Sequence, residues 1–391
     1  MFIVVIFILS AAVIALDYLA FKRYLLSAKA WVKWLVGAFL VLSNLLPYIA
    51  VAMLWLANMP NMVPMMWLLT AYMVLSLSRI ALYGGILTFK NCYAKWIVGL
   101  LLCTIVAWVL IVGVVHTRKA ITVNKVDVAS ARLPHSFDGY RIAFFSDLHI
   151  GSMTSASAMC ESLVAKINAL DVDLVVFGGD LVNVRYDELT PDLTKVLGGV
   201  KARDGVVAVL GNHDTGVYVR DTLELPIAEN TRLLTERIES MGWRVVNDAT
   251  ERIVRGVDTL TLTGIGFSRE LLEHRHSADV AESLDLRPIY DGVPLDKFNI
   301  TVSHMPQLWR KVSALGYGDL VLSGHVHAMQ MKGRIGGRSF SPAQLMYREW
   351  SGHYSEPNSH LYITDGVGGV GFHLRIGAPP EVAELTLHRA D

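Results

Sequence analysis

Four long apolar runs before residue 116 decide what this chain can become. Residues 1–21, 34–57, 63–87 and 96–115 are each close to the roughly 20 residues that cross a hydrocarbon core of about 30 Å. Backbone N–H and C=O groups find no partners in lipid, so such runs cross as helices. The reading is four spanning helices over 1–116. Composition agrees: 53% of residues are hydrophobic, 18% are charged and the mean hydropathy is +0.41, too apolar for an ordinary soluble enzyme of this length. The first run carries no positive n-region and no small-residue cleavage site before Lys22, which argues against a cleaved signal. Two ionisable residues fall in or near the runs, Asp17 and Arg79. Charge in lipid is costly unless paired or snorkelling. Arg79 is expected to reach the interface rather than to pair with Asp17.

The loop charges set an orientation. The first connection holds Lys22, Arg23, Lys29 and Lys33, the third holds Lys90 and Lys95, and 58–61 between them holds none. By the positive-inside rule the first and third loops are cytoplasmic, and both termini with everything after the fourth helix are extracytoplasmic. Arg118 and Lys119 pull the other way but are outnumbered. The expected setting is a multi-pass protein of the cell (inner) membrane, with the lipid bilayer as its first partner. Lysine plus arginine and aspartate plus glutamate are 35 each, so no global field calls for nucleic acid. Cys92, Cys103 and Cys160 form no CxxC pair and suggest neither a disulfide framework nor a zinc ribbon.

From about residue 120 the texture changes to short β-rich runs separated by helical stretches, the pattern of an α/β or α+β sandwich. Residues 117–140 read as a linker and first strand, and 141–391 as one catalytic domain. Buried strands are expected at 141–146, 174–178, 206–210, 299–303 and 319–323. Their exits are Asp147-Leu148-His149, Gly179-Asp180, Gly211-Asn212-His213-Asp214, His304 and Gly324-His325-Val326-His327. Ligands gather outside the carboxyl ends of strands, so five exits bearing aspartate, asparagine and histidine point to a metal site there. Each piece alone is weak. Asp180 alone reads equally well as a helix cap, Asp214 as a helix-start acid, and His304 as a packed side chain. The order of all five together carries the reading.

The blocks DLH at 147, GGD at 178, GNHD at 211, SHMP at 303 and GHVH at 324 resemble the signature of the calcineurin-like metallophosphoesterases. The tail from Gly352 resembles a membrane-bound bacterial branch that includes enzymes similar to UDP-2,3-diacylglucosamine hydrolase and related phosphodiesterases. The fold class implied is an N-terminal four-helix transmembrane region followed by an α/β (α+β sandwich) metallophosphoesterase domain. The resemblance implies that Asp147, His149 and His327 hold one metal and Asn212, His304 and His325 a second, with Asp180 bridging. It places His213 as donor to a phosphoryl or leaving-group oxygen, with Asp214 orienting its imidazole. Carboxylates and imidazoles without thiolate suit two divalent ions, manganese, iron or zinc, with manganese favoured. Such a pair implies phosphoester or pyrophosphate hydrolysis by a metal-bound hydroxide.

The chain departs from the pattern after the last block, where Ala328-Met329-Gln330 stands in place of Gly-Gly-Gln. An apolar rim there would suit a lipid. The GxGxxG at Gly366, Gly368 and Gly371 lacks the following helix that a dinucleotide site requires. His274, His276, His353 and His360 lie at no clear strand exit. The short tether after the last apolar run favours an amphiphilic phosphorylated substrate presented by the bilayer. The rival readings are a membrane receptor or scaffold that retains the fold, and a regulated transporter.

Overall fold

The computed structural model describes residues 2–56, 62–89, 91–220, 222–274 and 284–390. The connection at 58–61, Lys90 and His276 lie outside them. The chain divides into two compact units. One is Met1–Thr117 with Val370–Ile376, and the other is Arg118–Gly369 with Gly377–Asp391.

The first unit is helical: α1 (Phe2–Tyr24), α2 (Ala30–Leu56), α3 (Val63–Thr88) and α4 (Cys92–Val115). Among the described residues three helices, not four, are long and apolar enough to cross a membrane: Ala30–Leu54, Val63–Thr88 and Tyr93–Lys119. The first run forms the helix α1, which is not one of these three. Asn91 starts α4 by accepting the Tyr93 and Ala94 N–H groups on its side chain. Helices α3 and α4 approach so closely that a Cβ on Gly85 would stand 2.2 Å from Gly99 Cα, the small-residue contact that lets apolar helices pack in lipid.

Arg79 does not snorkel. It is buried on α3, 3.6 Å from Asp17 of α1. Its guanidinium donates to Ser43 Oγ and Asn44 Oδ1 of α2, while Asp17 accepts from Asn44 Nδ2 and the Tyr83 hydroxyl. A buried charge needs a partner and hydrogen bonds, and this network supplies both. Val370–Ile376 completes the unit. The His373 N–H donates to Thr70 Oγ1 at 2.7 Å, and Phe372 packs on Ile6, Ala50, Met65, Met66 and Leu69.

The second unit is built on two mixed six-stranded sheets. Its strands in chain order are β1 (Thr122–Ser130), β2 (Tyr140–Phe145), β3 (Leu174–Phe177), β4 (Val206–Ala208), β5 (Trp243–Val245), β6 (Ala249–Arg255) and β7 (Asp258–Ile265). They continue with β8 (Asn299–Ser303), β9 (Leu320–Ser323), β10 (Gly333–Ile335), β11 (Arg338–Phe340), β12 (Gly352–Glu356), β13 (Ser359–Ile363) and β14 (Glu381–Arg389). The sheet orders are β1-β14-β2-β3-β4-β5 and β12-β13-β9-β8-β7-β6, with β10 and β11 forming a separate hairpin. Strands β2, β3 and β4 run parallel, as do β7, β8 and β9.

Strand residues alternate between faces, and that alternation sorts the core. Ile142, Phe144, Val176 and Val207 of one sheet share a buried cluster with Leu260, Ile300, Val302 and Leu322 of the other. Ala143, Phe145, Val175 and Phe177 face instead the helices Ala156–Asn168, Pro191–Leu197 and Ile227–Ser240. Fully burying each large apolar side chain contributes about 1.5–3 kcal/mol. Strands apolar on both faces read as continuous hydrophobic runs, and their parallel carboxyl ends open at one edge of the sandwich.

Candidate metal centre

The exits of β2, β3, β4, β8 and β9 converge. Three overlapping groups bring ligand atoms within 4.8 Å of one another: Asp147, His149 and His327; His149, Asp180 and His213; and Asp180, His304 and His325. In the first group His327 Nε2 lies 3.1 Å from Asp147 Oδ1 and 3.2 Å from His149 Nε2. In the last, His304 Nε2 lies 3.0 Å from Asp180 Oδ2, and His325 Nδ1 lies 3.0 Å from Asn212 Oδ1. Asp180 Oδ2 is also 3.6 Å from His149 Nε2, so one carboxylate reaches both halves.

The backbone is contorted to achieve this. Asp147, His149, Asp180, His325 and His327 all have φ between 46° and 72°. Non-glycine residues rarely adopt left-handed backbone, at a cost of order 1–3 kcal/mol each, and such residues gather at functional sites. The loops are stitched together by main chain: Asp147 N–H to Gly179 C=O at 2.8 Å, His149 N–H to Asp180 C=O at 3.1 Å, and Gly324 N–H to His304 C=O at 3.1 Å. Glycine is obligatory at Gly324, where a Cβ would stand 2.2 Å from Ser146 Oγ and 2.4 Å from Asp147 Oδ2.

The donor set fits divalent metal. Asp147, His149, Asp180, Asn212, His304 and His327 are all buried. His304 Nδ1 sits 2.8 Å from Gly178 C=O, which accepts its proton and aims Nε2 at Asp180, the way metal-binding histidines are commonly held. That Nε2 lies 3.0 Å from Asp180 Oδ2, whereas the Nδ1 atoms of His149 and His327 have no hydrogen-bond partner among the described residues. Burial disfavours charge on every group here, yet the charges oppose one another. Burial lowers His304, but the carboxylates of Asp180 and Asp147 outweigh it and push its pKa up to about 9. Burial raises Asp180 and Asp147, but the surrounding imidazoles outweigh it and hold both well below the usual carboxylate range. Burial holds His149 well below the ordinary histidine value. A cation placed between these groups takes over the role of the shared protons.

The family profile for calcineurin-like phosphoesterases matches residues 140–329. This part of the chain is a calcineurin-like phosphoesterase domain. A transmembrane protein with metallophosphoesterase domain from Danio rerio is 27% identical over 291 residues, covering 73% of this chain and 62% of that protein. The uncharacterized metallophosphoesterase YkuE of Bacillus subtilis is 27% identical over 271 residues, 66% of this chain and 83% of that one. LpxG of Chlamydia trachomatis, described as a UDP-2,3-diacylglucosamine pyrophosphatase, is 25% identical over 299 residues, 64% of this chain and 85% of that one. The chain spans about six-tenths of the length of the transmembrane relatives. Three apolar helices and transmembrane relatives together support membrane association.

Within the phosphoesterase domain His213 stands beside the ligand groups. Its Nδ1 lies 2.6 Å from the Asn183 carbonyl, and its ring crosses that of His149 edge to face with centroids 4.7 Å apart. Burial lowers its pKa, so the imidazole is neutral at neutral pH. A carbonyl only accepts, so Nδ1 carries the proton and Nε2 is the exchangeable nitrogen. Asp214 is not its orienting partner, which corrects the expected role. The Asp214 carboxylate is fully buried and accepts four backbone N–H groups, those of Asp180 and Gly211 on Oδ2 and of Leu181 and Val182 on Oδ1. Burial and the charge of Asp180 push it up to about 7. Four donors shared by two oxygens are satisfied by the carboxylate alone, and they decide its state near neutral pH.

Further residues escaped sequence reasoning. Asn183 contributes a carbonyl, to which any residue type is equivalent. Glu188 accepts the N–H groups of Asn183, Val184 and Arg185 and so holds that carbonyl's loop in place. Tyr218 and Tyr347 contact Asn212 and His325 as lone tyrosines outside the blocks. The Ala328-Met329 departure has a backbone meaning: both are left-handed, at φ 48° and 47°, where glycine costs least. Ala328 is fully buried and Met329 packs into the neighbouring core, so the pair does not form an exposed apolar rim. Gly366 and Gly368 line the metal loops, where a Cβ would meet Asp147, His327 and the Leu148 carbonyl, and no helix follows them, as expected of a chance GxGxxG.

Proposed function

We propose that this protein is a membrane-anchored, dinuclear-metal hydrolase of a phosphoester or pyrophosphate bond in a lipid or lipid-linked substrate. The observation that carries the reading is the convergence of overlapping Asp/His groups on five strand exits, most of them in strained backbone. In this reading Asp147, His149 and His327 hold one ion, Asn212, His304 and His325 the other, and Asp180 both, with manganese the first choice. Two such ions supply Lewis-acid polarisation of phosphoryl oxygens and an acidified water. His213, held at Nδ1 by Asn183, presents Nε2 to the substrate. Protonated there, it donates to the leaving oxygen as the P–O bond breaks. The phosphoester's negative charge favours that protonated form by opposing the effect of burial.

The lipid-linked part rests on the three apolar helices, on LpxG, and on the return of the chain to the helical unit at Val370–Ile376. Sidedness follows from the loop charges and needs only α2, α3 and α4. With Lys29 just before α2, Lys33 in its first turn and Lys95 near the start of α4 in the cytoplasm, three crossings put the catalytic domain outside it. The test offers detergent-purified protein and manganese three substrates: UDP-2,3-diacylglucosamine, phospholipid in mixed micelles, and a soluble aryl diester. Turnover of an amphiphile well above that of the soluble diester supports the reading, and preference for the soluble diester removes the lipid-linked part of it.

A further inference from the structure

We infer that two tyrosines outside the sequence blocks, Tyr218 and Tyr347, are positioning residues that set the ligand faces of Asn212 and His325 and thereby the affinity for the second ion. The assignment rests on the two-metal reading proposed above.

An asparagine can hold a cation only through Oδ1, and its amide presents either end unless something fixes it. Here Nδ2 of Asn212 donates to the Tyr218 hydroxyl at 3.0 Å. That bond turns Oδ1 toward His325 Nδ1, 3.0 Å away on the ligand side. The other nitrogen of His325, Nε2, lies 3.4 Å from the Tyr347 hydroxyl, with the ring centroids 6.0 Å apart and the planes at 86°. Each of the two ligands is thus held from behind by a phenol.

A hydroxyl suits this position because it can serve either tautomer of the histidine. Without a cation, Nδ1–H donates to Asn212 Oδ1 and Nε2 accepts from the Tyr347 O–H. A cation held at Nδ1 would leave the proton on Nε2, where the Tyr347 oxygen would accept it. A hydroxyl donates or accepts by rotation, whereas a carbonyl or carboxylate serves only one of the two states. Partners of this kind around ligating histidines typically change metal affinity 10–100-fold when removed. Tyr218 has a second contact: its ring lies 4.4 Å from the His213 ring, centroid to centroid, at 33°. Its hydroxyl therefore serves the metal and its ring serves the proton donor, and the two roles separate by mutation.

The test is manganese titration of chelator-stripped full-length protein in detergent, with free ion read by electron paramagnetic resonance. Wild type is expected to take up two ions per chain. Tyr218→Phe and Tyr347→Phe are expected to keep the first ion at wild-type affinity and to bind the second roughly 10–100-fold more weakly. Tyr218→Phe should retain the wild-type pH–rate profile once saturated with metal, and Tyr218→Ala should shift it. Wild-type affinity for both ions in either phenylalanine variant overturns the assignment. So does an equal loss of both ions with a lowered melting temperature, the signature of a merely structural role. A wild type that holds fewer than two ions overturns the two-metal reading and this assignment with it.

Discussion

Replacing Asp214 with asparagine separates a structural role from a catalytic one. In the wild type each carboxylate oxygen accepts two backbone N–H groups, at 2.7 and 3.0 Å on Oδ2 and at 2.8 and 3.1 Å on Oδ1. Asparagine keeps one acceptor, so two donors lose theirs and face an NH2 group instead. A buried donor left unsatisfied costs about 1–3 kcal/mol, which makes about 2–6 kcal/mol for the pair. For a domain of this size each kcal/mol lowers the melting temperature by about 2–4 °C, so a fall of roughly 5–20 °C is expected. Two of the four N–H groups belong to Asp180 and Leu181, so the proposed bridging ligand moves with its loop and metal content should fall too. The assay is a thermal melt of Asp214→Asn in detergent with bound metal measured on the same sample. Wild-type melting and full metal content, with an altered pH–rate profile, would instead give Asp214 the role of orienting His213.

In metal-free protein His304, pushed up to about 9 against an unfolded value near 6.5, contributes stability that is fully present below the unfolded value and is lost as pH rises through about 9. Metal-free protein should therefore melt lower at pH about 9.5 than at about 7, metal-loaded protein should not, and a flat metal-free profile contradicts the charge assignment. Gly324→Ala drives a methyl group into Ser146 and Asp147 and should abolish metal binding while the sheets still fold, read by metal content beside circular dichroism. In the helical unit Asp17→Asn or Arg79→Met alone leaves a buried charge without its partner, at about 3–5 kcal/mol, and the double replacement should be less damaging than the sum of the two. Additive losses of melting temperature in detergent would count against the pair.

The strands are legible because their signal is local. The run at 299–303 coincides with β8, and that at 141–146 lies one residue from β2 (Tyr140–Phe145), since buried parallel strands are apolar on both faces and end where polar residues begin. That the exits share one edge follows from parallel topology, so residue order alone points to a common site. Asp214 is not legible in this way. Its partners are backbone N–H groups, which carry no residue identity, and a carboxylate beside a histidine suggests the wrong neighbour. Arg79 and Asp17 are misjudged for a related reason: hydropathy weighs residues singly, whereas their pairing depends on three helices packing together. Tyr218 and Tyr347 contribute one hydroxyl each from loops, and no spacing marks them.

A two-metal centre that hydrolyses phosphoesters would depend on Asp180 to join its halves. Its most direct test is manganese-dependent hydrolysis of bis-para-nitrophenyl phosphate by detergent-purified wild type and Asp180→Ala, with metal content measured on both. Turnover with roughly two ions per chain in the wild type, and loss of both in the variant, is the predicted result. A folded wild type without metal, or a variant that keeps both ions and full turnover, would contradict it.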